Sequence, residues 1–205
     1  MMPFNLNLYK TTKLEQWIIN IYQDNFILNP DDMDLDAIAD LFNCVIVYSA
    51  RRSRVIFDDI DGGMIFLGAN NCEKEQRLEF FHELSHPALH VGDQRRMKEA
   101  FADLQESQAA AFQLYASMPI FMIKNIEPKG TWHEYFLTLS DAFQVPYSFV
   151  EKRIDQIKRR IYREYQERNF KALIAPVKAS YGYSEETLDL IAKLNRQTMK
   201  GGLIL

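Results

Sequence analysis

Apolar residues recur at helical spacing near the start of the chain. The pattern predicts a helix over residues 14–28, which Asn29-Pro30 ends, and a second helix over residues 34–42. Four aspartates surround the start of the second helix: Asp31, Asp32, Asp34 and Asp36. Two interpretations fit these aspartates, a cation site or helix capping. We favour capping, because carboxylates stabilise helix N-termini.

Runs rich in Val, Ile and aromatic residues follow and predict three short strands over residues 44–48, 55–57 and 64–67. The turn signal Asp61-Gly62-Gly63 lies between the second and third runs, so we expect a small antiparallel sheet. Cys44 falls in an apolar run and is expected in the core, whereas Cys72 falls in a polar stretch. Two cysteines are too few for a disulfide framework, and we expect free thiols.

Helical periodicity returns after the strands. It predicts helices over residues 75–90, 98–117, 132–143, 148–170 and 184–198. Pro87 lies inside the first of these and is expected to kink it or to loosen its last turn, because proline removes one backbone hydrogen bond and crowds the carbonyl of Glu83. Strands and helices together predict an α+β fold, with a small antiparallel sheet packed on helices and a helical region after it.

Composition narrows the class of protein. The chain has 205 residues, of which 47% are hydrophobic, which is enough for a substantial core. The net charge of -4 gives no general attraction to nucleic acid. The N-terminus lacks the basic and apolar regions of a signal peptide, and no apolar run approaches the ~18–20 residues that cross a bilayer. We therefore expect a cytoplasmic protein that does not contact the membrane.

The most informative motif is His82-Glu83-Leu84-Ser85-His86. Histidines four positions apart lie on one face of a helix, about one turn apart, so both imidazoles can reach one metal ion. Glu83 between them is placed to act as a general base on a water at the metal, as in zinc hydrolases. Histidines on a partly buried helix face are the other interpretation, which we disfavour because a suitable third ligand follows downstream.

A hydrolytic zinc ion takes three protein ligands and leaves one position for water. The next predicted helix offers three carboxylates, Glu99, Asp103 and Glu106. We choose Glu106, because the alanines that follow it allow two helices to approach closely. His90 is interpreted as a supporting or structural histidine and not as a ligand. Three side chains remain open as the second donor to an oxyanion: Tyr115, His133 and Tyr135. A solvated helix position is the favoured interpretation for His133.

Residues 76–86, followed by Leu89-His90, resemble the zincin segment of the ImmA/IrrE metallopeptidases. That family continues with a glutamate, an alanine three positions on, a phenylalanine six positions on and a Met-Pro pair. This sequence has the same residues at Glu106, Ala109, Phe112 and Met118-Pro119. The resemblance runs from about residue 34 to residue 120. It implies a gluzincin-like metalloendopeptidase. We expect a zincin-like metallopeptidase domain over residues 1–125 and a helical C-terminal region over residues 126–205, whose helix-turn-helix-like part is a candidate for binding a partner.

The resemblance also implies the site and its substrate. His82, His86 and Glu106 would hold one zinc ion per chain, with Glu83 catalytic; manganese or iron can occupy the same ligands. The implied substrate is a protein, a repressor or regulator of mobile-element or stress genes that is often a helix-turn-helix protein. Its cleavage would relieve repression.

An alternative function depends on the C-terminal region. Residues 151–171 hold eight Lys or Arg against four Asp or Glu, and residues 137–153 fit a helix, a short turn and a helix. The chain would then be an anti-repressor or DNA-associated regulator that acts by stoichiometric binding without proteolysis. Nucleic acid is the less favoured partner, because a charged helix face is more often simply solvated. A protein partner for this region is more plausible.

Overall fold

The computed structural model describes residues 5–58, 62–89, 99–180 and 184–201. Helices dominate these residues, and three strands form one sheet. The helices are α1 (Lys13–Asp24), α2 (Leu35–Asp40), α3 (Glu73–Leu89), α4 (Glu99–Ser117), α5 (Ile120–Asn125), α6 (Trp132–Ala142), α7 (Tyr147–Ser180) and α8 (Glu185–Gly201). The strands are β1 (Cys44–Ser49), β2 (Arg54–Asp58) and β3 (Gly62–Gly68). The predicted α+β class is confirmed.

Local chemistry accounts for most helix ends. Thr12 caps α1 by accepting the backbone N–H of Glu15. The helix ends at Asp24, four residues before the predicted end at residue 28, because the chain turns at Phe26. Phe26 has a φ of 60° and its side chain is 82% exposed. Phe26 therefore does not continue the apolar face of α1.

The aspartates before α2 act as caps, as predicted. The Asp34 carboxylate accepts the backbone N–H of Ala37 at 2.8 Å, at the first turn of α2. The Asp32 carboxylate accepts the backbone N–H groups of Leu28 and Asn29 at 3.0 and 2.8 Å. These backbone N–H groups have no acceptor within the helix, and the aspartate carboxylates supply one.

The prediction of an antiparallel sheet was wrong for one of the two strand pairs. β3 lies in the centre, antiparallel to β2 and parallel to β1. A turn signal fixes only the two strands that it joins, which are β2 and β3. The connection at residues 50–53 instead carries the chain from β1 at one edge of the sheet to β2 at the other. Gly62 has a φ of 89° and lies so close to Asn43 that a Cβ would be 2.1 Å from its carbonyl oxygen.

The two faces of the sheet differ. Cys44, Ile65 and Leu67 are buried on the face that packs toward the helices, which confirms Cys44 as a core residue. Alternating positions expose Val45 and Met64 on the outer face, as the two-residue period of a strand requires. Cys72 is exposed, and neither thiol is in a disulfide.

The chain divides into two compact units, Met1–Ile161 and Tyr162–Leu205. The predicted division between residues 125 and 126 stays a prediction about function, because packing divides the chain later. Leu139 of α6 and Ile154 and Ile157 of α7 are fully buried in the core that also holds the sheet. In the second unit, ion pairs one turn apart lie along the helices: Arg168 pairs with the buried Glu164, and Lys193 pairs with the exposed Asp189. No helix within the described ranges has the length and apolarity needed to cross a membrane.

A buried ion pair joins α1 to α7 inside the first unit. Arg153 is fully buried, and its Nη2 lies 2.6 Å from Oε1 of Glu15, which is also buried. The Nε of Arg153 donates to the carbonyl of Met118 at 3.0 Å. Arg160 Nη1 donates to the other oxygen of Glu15 at 3.1 Å, and the Tyr9 hydroxyl donates to the same carboxylate. These contacts draw two arginines of the predicted charged helix face into the interior.

Candidate metal centre

Helix α3 presents the two histidines. Its buried face includes Phe80, Phe81 and Leu84, which belong to the core of the first unit. His82 and His86 lie one turn apart beside that face, with ring centroids 5.3 Å apart and rings nearly perpendicular. The Ser85 hydroxyl between them is buried and donates to the carbonyl of His82. Helix α3 remains helical through Pro87 as far as Leu89, and His90 lies outside the described residues.

Helix α4 brings the carboxylate. It packs along α3, and small Ala109 is fully buried where the predicted close approach requires it. Phe112 is buried one turn on, and the side chain of Gln113 donates to the carbonyl of Leu78 at 2.8 Å. This hydrogen bond crosses from α4 to α3. Together these contacts fix the position of Glu106 on α4 relative to the histidines of α3.

The three side chains meet around one point. Nε2 of His82 lies 3.4 Å from Oε2 of Glu106, and Nε2 of His86 lies 3.9 Å from Oε1 of Glu106. One potential ligand atom from each residue lies within 4.8 Å of the other two. A zinc ion bound at ~2.0–2.2 Å in tetrahedral geometry places neighbouring ligand atoms roughly 3.3–3.6 Å apart. The donor set therefore fits a zinc ion, and the His82–Glu106 distance of 3.4 Å matches this spacing, whereas the His86–Glu106 distance of 3.9 Å is slightly longer.

Glu83 lies beside this cluster and is mostly buried. Burial raises the pKa of Glu83 to about 7, and the negative charges of Glu106 and Glu79 act in the same direction. The backbone N–H of Val55 donates to the Glu83 carboxylate and opposes the rise. Helix α3 thus carries the glutamate, and strand β2 supplies the donor that holds it.

A cleft of about 560 Å³ opens next to His82 and Glu83. Its walls are the β1–β2 connection at residues 50–53, the end of β3 and one face of α3. Glu79 of α3 is hydrogen-bonded to residues of the other two walls. Its carboxylate accepts the Ser53 hydroxyl and, at 2.6 Å, the side-chain amide of Asn71. The Ser53 oxygen in turn accepts the backbone N–H of Gly68 at 2.9 Å.

Sequence reasoning gave Glu79 no role. Its spacing held the signal, because residues three and four positions apart on a helix share a face. Glu79 precedes His82 by three positions and Glu83 by four, so its carboxylate reaches the same cleft.

The structure places the proposed oxyanion donors in other contacts. The Tyr115 hydroxyl accepts Nη2 of Arg160 at 2.6 Å. Tyr115 follows Glu106 by nine positions, which corresponds to roughly 13 Å along a helix. Tyr135 is buried, and its hydroxyl donates to a backbone carbonyl. Nδ1 of His133 lies 3.1 Å from the Tyr147 hydroxyl at the surface. None of these contacts brings Tyr115, Tyr135 or His133 to the His82–Glu106 cluster.

Of the other candidate carboxylates, the structure describes the side chain of Asp103 only, and it does not join the cluster. Asp103 is exposed, and the group of possible ligands found among the described residues contains only His82, His86 and Glu106. Glu99 is the first residue of α4, two turns before Glu106. The geometry thus brings Glu106 to the two histidines, and its role as a ligand stays a prediction.

Comparisons with known proteins identify a family model and two relatives, each of which matches more than half of the chain. The family model for the IrrE N-terminal-like domain, Peptidase M78, matches residues 47–155. The phage-like element PBSX protein XkdA of Bacillus subtilis (strain 168) is 30% identical over 149 residues, which cover 72% of this chain and 74% of that protein. The uncharacterized protein YqaB of the same strain is 25% identical over 159 residues, covering 75% of this chain and 88% of that protein. No solved structure matches the chain significantly.

Proposed function

The chain belongs to the ImmA/IrrE family of metallopeptidases, and on that basis we propose that it is a zinc-dependent endopeptidase that cleaves a transcriptional repressor. The observation that carries the proposal is the convergence of His82, His86 and Glu106 beside Glu83 and an open cleft. The relative from a phage-like element favours a repressor of a mobile element or phage, of the helix-turn-helix class. Cleavage in the cytoplasm would relieve repression.

Each residue of the site has a defined task. The two imidazoles and the Glu106 carboxylate would hold the zinc ion. When bound, zinc acts as a Lewis acid that activates water and polarises a carbonyl at neutral pH. The Glu83 carboxylate takes a proton from the attacking water and delivers it to the nitrogen of the leaving amine. The N–H of Val55 orients Glu83 for both transfers.

Metal content and cleavage test the proposal separately. Glu106→Ala should lose zinc, as measured by elemental analysis of the purified protein. Asp103→Ala removes a carboxylate from the same helix outside the cluster and should keep the metal. Glu83→Gln should keep zinc but lose cleavage of a candidate helix-turn-helix repressor chosen from the genomic neighbourhood. Full zinc in Glu106→Ala, or equal cleavage by Glu83→Gln and wild type, would contradict the proposal.

The stoichiometric alternative receives less support from the C-terminal region. The predicted helix, turn and helix are present as α6, residues 143–146 and α7. However, Arg153 is fully buried against Glu15, and Arg160 donates to Glu15 and to Tyr115. Two of the basic residues that suggested a DNA contact are thus engaged inside the protein. Derepression in cells by Glu83→Gln would favour binding over proteolysis.

A further inference from the structure

Two arginines line the cleft beside the cluster, and neither forms an ion pair among the described residues. Arg51 and Arg52 lie on the β1–β2 connection, and their side chains are exposed. Among the described residues, neither guanidinium has a carboxylate within ion-pair distance. The same cleft is lined by His82 and Glu83. A substrate peptide that enters the cleft toward Glu83 therefore passes two positive charges that form no ion pair with the described residues.

The carboxylates of the cleft are already engaged. Glu79 accepts hydrogen bonds from Ser53 and Asn71. Glu83 accepts the backbone N–H of Val55. Since the hydrogen-bond partners of these carboxylates are neutral groups and not the arginines, both guanidinium groups remain available to a ligand. Guanidinium groups bind carboxylates through paired, charge-assisted hydrogen bonds.

The backbone that carries the arginines is anchored at both sides. The backbone N–H of Arg51 donates to the Ser49 hydroxyl at 3.2 Å. Ser53, directly after Arg52, is bound to Glu79 of α3 and to the backbone N–H of Gly68. An anchored segment loses less conformational entropy when its side chains bind a ligand. This wall of the cleft is therefore suited to selecting a ligand by charge.

We propose that Arg51 and Arg52 determine substrate specificity by recognising an acidic side chain close to the scissile bond. The inference rests on the proposed endopeptidase function and names the class of peptide that the cleft accepts. Exposed ion pairs contribute modestly, so the two arginines together should give roughly a tenfold preference in kcat/KM for a glutamate peptide over its glutamine counterpart. High salt should reduce that preference, because both guanidinium groups are solvated.

The experiment profiles cleavage of a synthetic peptide library by mass spectrometry, using the full-length, zinc-loaded protein. Peptides cleaved by wild type should be enriched in Asp and Glu at one position near the cut. The double variant Arg51→Glu with Arg52→Glu should keep its zinc and prefer Lys or Arg at that position instead. The double variant Arg159→Glu with Arg163→Glu makes the same charge change at exposed positions of α7 and should leave the profile unchanged.

The outcomes separate this inference from the function on which it rests. Cleavage without an acidic preference, or a preference that survives reversal of both arginines, overturns the inference and leaves the peptidase proposal standing. If wild type cleaves neither the library nor the repressor, the proposed function fails, and the specificity inference fails with it.

Discussion

The buried ion pair between Glu15 and Arg153 predicts a large loss of stability on a small change, Glu15→Gln. The substitution keeps the size of the side chain and removes its charge. Arg153 is fully buried, and Arg160 contacts the same carboxylate from the other side. Without that carboxylate, two guanidinium groups face each other with no anion between them. The residual charge of Arg153 has no path to solvent.

Removing one partner of a buried ion pair typically costs ~3–5 kcal/mol, because the remaining charge is desolvated and uncompensated. For a domain of this size, each kcal/mol lowers the Tm by roughly 2–4 °C, so the expected drop is roughly 6–20 °C. The double variant Glu15→Met with Arg153→Met should lose less than Glu15→Gln alone. It leaves no fully buried charge unpaired, and Arg160 is partly exposed and can turn to solvent.

Thermal unfolding followed by tryptophan fluorescence measures the effect, because Trp17 and Trp132 both belong to the first compact unit. Asp155→Asn is the matched control. It removes a carboxylate from an exposed ion pair with Lys158 on the same helix as Arg153, and should cost less than ~1 kcal/mol. If Glu15→Gln lowered the Tm no more than this control, the description of the pair as buried and mutually dependent would be refuted.

Three further predictions concern single residues. In metal-free protein, burial raises the pKa of Glu83 to about 7, so the stability that protonation of this carboxyl gives the fold is full below about pH 4.5 and is lost as the pH rises to about 7. Glu83→Gln should therefore raise the Tm more at pH 8 than at pH 5. An equal effect at both pH values would contradict the burial of this carboxyl. Phe26→Asn should raise stability by about 0.5–1 kcal/mol in urea unfolding, because asparagine tolerates a positive φ and the exposed ring loses little packing, and a loss would show that the ring does pack. A thiol reagent at pH 8 should modify Cys72 quickly and Cys44 only on unfolding, since burial raises the pKa of Cys44 to about 11; two fast thiols in native protein would refute this.

Features set by a few neighbouring residues could be predicted from the sequence. The spacing of His82 and His86 follows from the period of one helix. The cap formed by Asp34 depends on a residue three positions away. Cys44 is buried because it alternates with exposed Val45 along a strand. In each case the interaction lies within one element, so the pattern of residue types contains the information.

Features that depend on distant parts of the chain were missed or misplaced. Apolar periodicity includes Phe26 in α1, but it does not register that the chain turns there with the ring in solvent. The turn before β3 fixes β2 as its neighbour and does not determine where β1 pairs. The charge count over residues 151–171 is the same whether an arginine faces solvent or a buried glutamate. Arg153 and Glu15 are 138 residues apart in the sequence, and no local pattern marks their pairing.

Glu106 lies between these two cases. It belongs to a different helix from the histidines, so its approach depends on how α3 and α4 pack. The sequence nevertheless indicates that packing, because alanines follow Glu106, and Ala109 is fully buried in the structure. The contact is confirmed by the hydrogen bond from Gln113 to Leu78. A carboxylate that approaches the histidines can thus be selected from the sequence when small residues mark the helix interface. The proposed specificity of the cleft could not be predicted from the sequence. Arg51 and Arg52 line the cleft because of the course of the β1–β2 connection, which no local pattern shows.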